Sequence, residues 1–254
     1  MRYTDINAAT IDRWVEEGWE WGKPISHEAF LAAKKGEWQM LLTPTRPVPK
    51  EWFGDLRGRR VLGLASGGAQ QMPVFAALGA ECYVLDYSAR QIESENRVAA
   101  REGYEIHAVR ADMTLPLPYP DEFFDLIFHP VSNCYIEDVL PVWRECHRVL
   151  RRGGRLLAGL DNGLNFLVDE DQGGDRVTGY LPFNPLKNPQ QRSELEAADC
   201  GLQFSHTIEE QIGGQLRAGF RLLDVYSDTN ASGPLKEHGA AAFWATLEIG
   251  IAHV

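Results

Sequence analysis

The chain predicts an α/β fold, a doubly wound and mostly parallel sheet with an N-terminal helical attachment. Three observations carry this. At residues 59–86 an apolar run meets a small-residue turn, a helix-length segment follows, and a second apolar run closes on an acid. Strand and helix segments of similar length then alternate as far as Leu160. Near the end, two apolar runs are joined by a connection too short for a crossover, so they should pair antiparallel.

Residues 1–58 read as the attachment. They hold five of the seven tryptophans, Trp14, Trp19, Trp21, Trp38 and Trp52, among helix-forming segments ended by Gly22, Pro24 and the Pro44 to Pro49 stretch. Such aromatic density either anchors packing or forms a lid that gives a site apolar walls and excludes water. Residues 59–160 form the regular half. Val61 to Leu64 is the first strand, Ala65-Ser66-Gly67-Gly68 the turn, Gln70 to Leu78 a helix, and the second strand ends at Asp86. Ser88 caps a helix that runs to Arg101 and closes at Glu102-Gly103. Ile106 to Arg110 is the third strand, ending at Ala111-Asp112-Met113. A polar, proline-rich connection leads to Phe123 through Phe128, apolar except for Asp125 near its start and therefore a buried central strand. Ile136 to Leu150 is an amphipathic helix stopped by Arg151-Arg152-Gly153-Gly154, and Arg155 to Leu160 is the fifth strand.

The alternation lapses over residues 161–206, where Gly173-Gly174, Pro182, Pro185 and Pro189 interrupt it and Tyr180–Phe183 and Leu202–Ser205 read as short strands. A segment this long and irregular in a compact domain points to a substrate wall. In residues 207–254, Thr207 and Glu210 have the spacing of a capping box, Gly219 ends that helix, and Arg221–Tyr226 and Ala241–Ile249 are the closing strands, joined across Asp228–Gly239.

The 254 residues are 44% apolar and 24% charged, enough for a single domain with additions. A balance of 25 basic against 36 acidic residues, net −11, argues against nucleic acid or an anionic membrane as partner. No apolar run reaches bilayer length and the N-terminus lacks the pattern of a secretory signal, so a cytoplasmic location is expected. Cys82, Cys134, Cys146 and Cys200 form no C-x-x-C pair; neither a metal site nor a disulfide framework is expected.

Asp86 stands about twenty residues beyond the small-residue turn, the spacing by which nucleotide-binding α/β folds hold a ribose. A nucleoside-bearing cofactor is therefore expected. Five ordered segments, VLGLASGGAQQ, CYVLDYS, VRADMT, FFDLIFHPVSN and HRVLRRGGRLL, together resemble the class I S-adenosylmethionine-dependent methyltransferases, especially their small-molecule branch. The resemblance spans about Arg59 to Ile249. It implies a Rossmann-like methyltransferase fold with a seven-stranded sheet whose last strand inserts antiparallel, S-adenosyl-L-methionine as cofactor, and a small-molecule methyl acceptor.

On the residues themselves, Ala65, Ser66, Gly67 and Gly68 leave room for backbone to pass beneath a ligand, and their amides can meet a carboxylate. Asp86 can accept from both ribose hydroxyls with Tyr87 and Ser88 flanking the sugar, or it can serve as a helix cap. By the resemblance, Asp112 bonds the adenine amino group, with Ala111 and Met113 beside it; the plain alternative is a turn aspartate. His129-Pro130-Val131 falls where the family places the transferring methyl, which makes His129 the first candidate to touch cofactor or substrate, against a structural histidine. Asn133 and Tyr135 are further possible lining residues, while Glu137-Asp138 and His206 read as helix-start groups. The chain departs from the family at Gly63, where an acid usually holds the cofactor's amino group, and at Ala69, where a third glycine is usual. Displacement at a sulfonium methyl needs in-line positioning and exclusion of water, and a base only if the acceptor arrives protonated. The rival readings are a nicotinamide oxidoreductase with a degenerate dinucleotide loop and a binding module without catalysis.

Overall fold

A computed structural model describes residues 2–167, 177 and 179–228, and the backbone of 242–249. Its sheet comprises β1 (Arg60–Leu64), β2 (Glu81–Asp86), β3 (Ile106–Arg110), β4 (Phe124–His129), β5 (Leu150–Asp161), β6 (Phe220–Asp228) and β7 (Ala242–Ile249), in the order β3-β2-β1-β4-β5-β7-β6. The pairs β1–β2, β1–β4, β2–β3 and β4–β5 are parallel, and β7 runs antiparallel to both β5 and β6. Because β1 is followed by β2 on one side and flanked by β4 on the other, the order reverses there. The carboxyl ends of β1 and β4 are thus where a crevice opens.

Side-chain alternation explains why both faces of the sheet are covered. Leu62, Leu64, Tyr83, Leu85 and Ile127 point to one face and pack with Val142, Trp143 and Cys146 of α5 (Leu140–Val149). Val61, Cys82, Val84, Leu126 and Phe128 point to the other, against Val74 and Phe75 of α3 (Met72–Ala77) and Trp52 and Phe53 of the attachment. Each such fully buried side chain contributes about 1.5–3 kcal/mol relative to exposure. The attachment supplies α1 (Tyr3–Glu16) and α2 (His27–Lys34). Ser88 caps α4 (Ala89–Glu102) by accepting from Gln91 N at 3.1 Å, and Gly103, at φ +72°, closes it.

Several boundaries differ from the sequence reading for local reasons. The helix expected from Ile136 begins at Leu140, because Asn133–Tyr135 forms a 3-10 turn and Pro141 sits in the first helical turn. Arg151–Gly154 does not separate helix from strand: β5 starts at Leu150, paired with Phe124, and a register shift before Leu126↔Arg155 absorbs the extra residues, with Gly153 at φ +71°. Tyr180–Phe183 and Leu202–Ser205 are not strands, although Ser205 N donates to Phe183 O at 3.0 Å. Pro189 starts α6 (Pro189–Ala198) where a break was expected; Asn188 accepts from the amides of Gln190 and Gln191. Thr207 and Glu210 exchange capping bonds, and a π turn at Glu209–Gly213 runs into α7 (Gly214–Ala218). Gly173-Gly174 and most of the connection between the closing strands lie outside the described residues. Among the described residues no helix is long and apolar enough to cross a membrane.

One strap of the attachment crosses the sheet. Val48 N donates to Met40 O at 2.9 Å, and Val131 N donates to Leu42 O at 3.1 Å. The crossing depends on Gly159, whose Cβ, if present, would lie 2.2 Å from Leu42 O. Asp228 anchors the strap: its carboxylate accepts from Thr43 Oγ1 at 2.6 Å, Thr45 N at 2.9 Å, Arg46 N at 3.0 Å and the Thr45 hydroxyl. These donors outweigh burial and hold Asp228 at a pKa of about 2.

Candidate functional site

A cavity of about 580 Å³ opens over the carboxyl ends of the parallel strands, a size typical of small-ligand sites. The loop after β1 contributes Ala65, Ser66 and Gly67, the end of β2 contributes Asp86, Tyr87 and Ser88, and the end of β3 contributes Ala111, Asp112 and Met113. Pro130 and Val131, after β4, continue the wall. The backbone at Gly67 must stay bare, since a Cβ there would lie 2.6 Å from Gln91 Cβ and 2.9 Å from Asp86 Oδ2. Gly68 is buried beside the cavity, not on its wall, at φ +96°. Ala65 and Ala69 also take left-handed conformations, φ +47° and +59°, which cost an L residue about 1–2 kcal/mol and show why glycine suits position 69.

Asp86 is 9% exposed, and its two oxygens accept from Gly67 N at 3.0 Å and Ser88 N at 2.9 Å. Burial raises its pKa, and those amides pull against that. Glu95, wholly buried beneath the loop, accepts from Ala69 N at 2.7 Å, while its Oε2 has no partner. Desolvation pushes Glu95 up to about 8, so it is mostly protonated at neutral pH.

Helix α1 closes the end of the cavity formed by β2 and β3. Tyr87 Oη donates to Asp5 at 2.7 Å, Ser88 Oγ to Asp12 at 2.5 Å, and Arg2 pairs with Asp112 at 2.6 Å. Asp112 also accepts from Thr114 N and Oγ1, so it orders its turn while facing the cavity. The tryptophans divide between the two roles considered for them. Trp14, Trp19 and Trp21 line the cavity, whereas Trp38 and Trp52 pack into the sheet-facing core.

His129 is not on the cavity wall, which corrects its expected role. It is wholly buried, Nδ1 donates to Leu64 O at 2.8 Å, and Nε2 hydrogen-bonds the Asn133 amide at 2.7 Å. Burial lowers its pKa against those two bonds. Asn133 in turn donates to Gln211, and Gln211 Nε2 donates to Asp161 O at 2.6 Å. His129 therefore belongs to a polar brace beneath the cavity that ties the ends of β4 and β5, and Asn133 belongs with it. Tyr135 does line the cavity. His206 is a brace as well, with Nε2 donating toward Asn133 O and Ile136 O, both at 3.0 Å. Glu137 accepts from Asn184 and pairs with Lys187.

Gly63 sits inside β1, paired with Val84 and Phe128, so it is not the first glycine of a dinucleotide turn. A Cβ there would meet Met72 Cε at 2.8 Å and Ser66 Cβ at 3.2 Å; Met72 occupies the space an acid would need. Sequence reasoning missed the strap residues Met40, Leu42 and Thr43, whose approach is non-local. It also missed Asp161, although an acid ending the apolar run Leu156–Leu160 is the same signal that singled out Asp86. The four cysteines are free, and among the described residues no cluster of His, Cys, Asp and Glu is arranged to hold a metal.

A model of the methyltransferase domain family matches residues 62–158. The chain is 42% identical over 227 residues to the uncharacterized methyltransferase YbaJ of Bacillus subtilis (strain 168), covering 87% of this chain and 89% of that protein. It is 32% identical over 112 residues to the ubiquinone/menaquinone biosynthesis C-methyltransferase UbiE of Pectobacterium atrosepticum, covering 42% of this chain and 44% of that one. Among solved structures, an S-adenosylmethionine-dependent methyltransferase from Mesorhizobium loti superposes with a TM-score of 0.61 at 18% identity, over 78% of this chain and 94% of that one.

Proposed function

The chain belongs to the S-adenosylmethionine-dependent methyltransferases, and on that premise we propose that it methylates a small, partly apolar acceptor by in-line displacement. The observation that carries this reading is one continuous cavity, lined both by Asp86 and Asp112 and by apolar side chains that include Trp14, Trp19, Leu42 and Tyr135. S-adenosyl-L-methionine, the family's cofactor, supplies an electrophilic methyl group when bound. The residues present fit it. The bare Gly67 backbone and the small Ala65 and Ser66 leave a cradle for the methionine part, and Asp86 offers lone pairs to the ribose hydroxyls between Tyr87 and Ser88. Asp112, with Ala111 and Met113, is suited to the adenine edge, and Pro130 and Val131 to the neighbourhood of the sulfur.

On this reading residues 1–58 act as a lid, 161–206 as part of the acceptor wall, and the whole of 1–254 as one catalytic unit. The lid and strap orient the acceptor and exclude water, which is most of what displacement at a methyl group demands. His129 holds the end of β4 in place through Leu64 and Asn133 and does not meet the acceptor.

Isothermal calorimetry tests the reading. S-adenosylhomocysteine is expected to bind while NADH does not, and Asp86→Ala is expected to abolish binding with the fold intact by circular dichroism. Unchanged affinity in that variant would remove the ribose assignment, and no binding by the parent chain would remove the function.

A further inference from the structure

Methyl transfer as proposed leaves one buried carboxylate of the cavity without a task. Asp161 ends β5 and is 6% exposed, on the cavity wall. Strand order and register place it: β5 is the neighbour of β4, His129 pairs with Ala158, and Asp161 therefore ends its strand three residues beyond the last β4 pair, on the side of β4 away from Asp86 and Asp112. The group is firmly held. Gln211 Nε2 donates to its carbonyl at 2.6 Å, Gly163 N to Oδ1 at 2.7 Å, and Asn165 Nδ2 to Oδ2 at 3.2 Å. A carboxylate oxygen that accepts one bond retains a second lone pair.

An aromatic run on the same cavity reaches Asp161 through Tyr135, which is coupled to it electrostatically. Tyr135 lies edge-on to Trp14 at 6.4 Å between ring centroids, and Trp14 meets Trp19 at 5.3 Å. An aromatic wall beside a firmly held carboxylate favours a planar guest that carries a donor. We propose that Asp161 is a catalytic residue that takes the proton from a phenolic hydroxyl on such an acceptor, whose ring lies against Trp14, Trp19 and Tyr135. The proposal rests on the methyltransferase reading and adds the acceptor class and the base.

The step balances without another reactant. The phenol O–H bond breaks and its proton passes to the Asp161 carboxylate. The oxygen pair forms the O–C bond to the methyl carbon as the C–S bond breaks, and that pair stays on sulfur to give the thioether. Burial raises Asp161 to about 6, against the Gly163 and Asn165 bonds, which makes it a stronger base than an exposed carboxylate. The ionisable side chains coupled to it electrostatically are Cys134 and Tyr135, from the segment after β4, and burial raises both so that each keeps its proton at neutral pH. The post-β5 loop and the π turn present the amides of Asn165 and Gln211. An ammonium acceptor would pair with this carboxylate and keep the proton that blocks its lone pair; a neutral phenol is not trapped in this way.

Ligand affinities for the chain loaded with S-adenosylhomocysteine, measured by calorimetry for 2-naphthol and 2-methoxynaphthalene, test the assignment. The parent chain should prefer 2-naphthol about ten-fold or more, as expected for a charge-assisted bond. That preference should fade as pH falls through about 6, where Asp161 gains its proton. Asp161→Leu should bind the two equally, and Asp161→Asn should show a smaller, pH-independent preference, both with S-adenosylhomocysteine affinity within two-fold of the parent. Equal affinities in the parent, binding of neither probe, or a preference that survives in Asp161→Leu would overturn the proposal. Failure of the parent to bind S-adenosylhomocysteine would instead overturn the methyltransferase reading.

Discussion

Replacing Asp228 by Asn should loosen the strap that covers the cavity, and the structure sets the size of the effect. Four donors from Thr43, Thr45 and Arg46 converge on this one carboxylate, which is only 5% exposed. A fall from the ordinary 3.8 to about 2 corresponds to about 2 kcal/mol of stability at neutral pH. Because the folded-state pKa is the lower one, that contribution is complete above the unfolded value and is lost as pH falls toward 2. About half should remain at pH 3. Urea unfolding of parent and Asp228→Asn at pH 7 should therefore differ by about 2 kcal/mol, and the gap should roughly halve at pH 3. A gap below about 0.5 kcal/mol at pH 7, or one that does not narrow in acid, would show that charge does not hold the strap.

Glu95 carries the opposite sign. Its folded pKa of about 8 lies above the unfolded value, so stability should be full below about pH 4.5 and decline as pH rises toward 8. Glu95→Gln keeps an acceptor for Ala69 N and should flatten that decline, making the variant the more stable of the two at pH 8; parallel pH–stability curves would contradict this. Gly63→Ala should cost about 1–3 kcal/mol in thermal or urea unfolding by pressing on Met72. Combining it with Met72→Ala should give a non-additive result, with coupling above about 0.5 kcal/mol; simple additivity would place the strain elsewhere.

The parallel half of the fold is legible in the sequence because each element declares itself locally. Ile106–Arg110 is bounded as expected, Ser88 caps α4, and Thr207 and Glu210 form their box. Local rules misplace Arg151–Gly154, where pairing with β4 turns an apparent helix stop into the bulged start of β5. They misread Pro189, a breaker by composition and a first-turn residue once Asn188 caps it. At the site, residues that follow strands in sequence reach the cavity wall, as Asp86, Asp112 and Val131 do. His129 shares that position but points below it, an orientation fixed by the bonds to Leu64 and Asn133. The strap and Asp228 are joined across more than 180 positions of chain, a distance at which no periodicity or motif reports contact.

The crossing of Leu42 over Gly159 separates two levels of cooperativity. The strap is joined to the sheet by the Val131–Leu42 bond and anchored at Asp228, whereas the strands beneath it are joined by continuous ladders. Met40, Leu42 and Val48 of the strap are also buried in the core against β1, β4 and β5, so its release exposes apolar surface as well as breaking those bonds, yet it leaves the ladders closed. Amide protons of Val131, Thr45 and Arg46 would then exchange with solvent well ahead of those in β4 and β5, and a guest would enter by a local opening whose free energy is a fraction of that for unfolding the sheet.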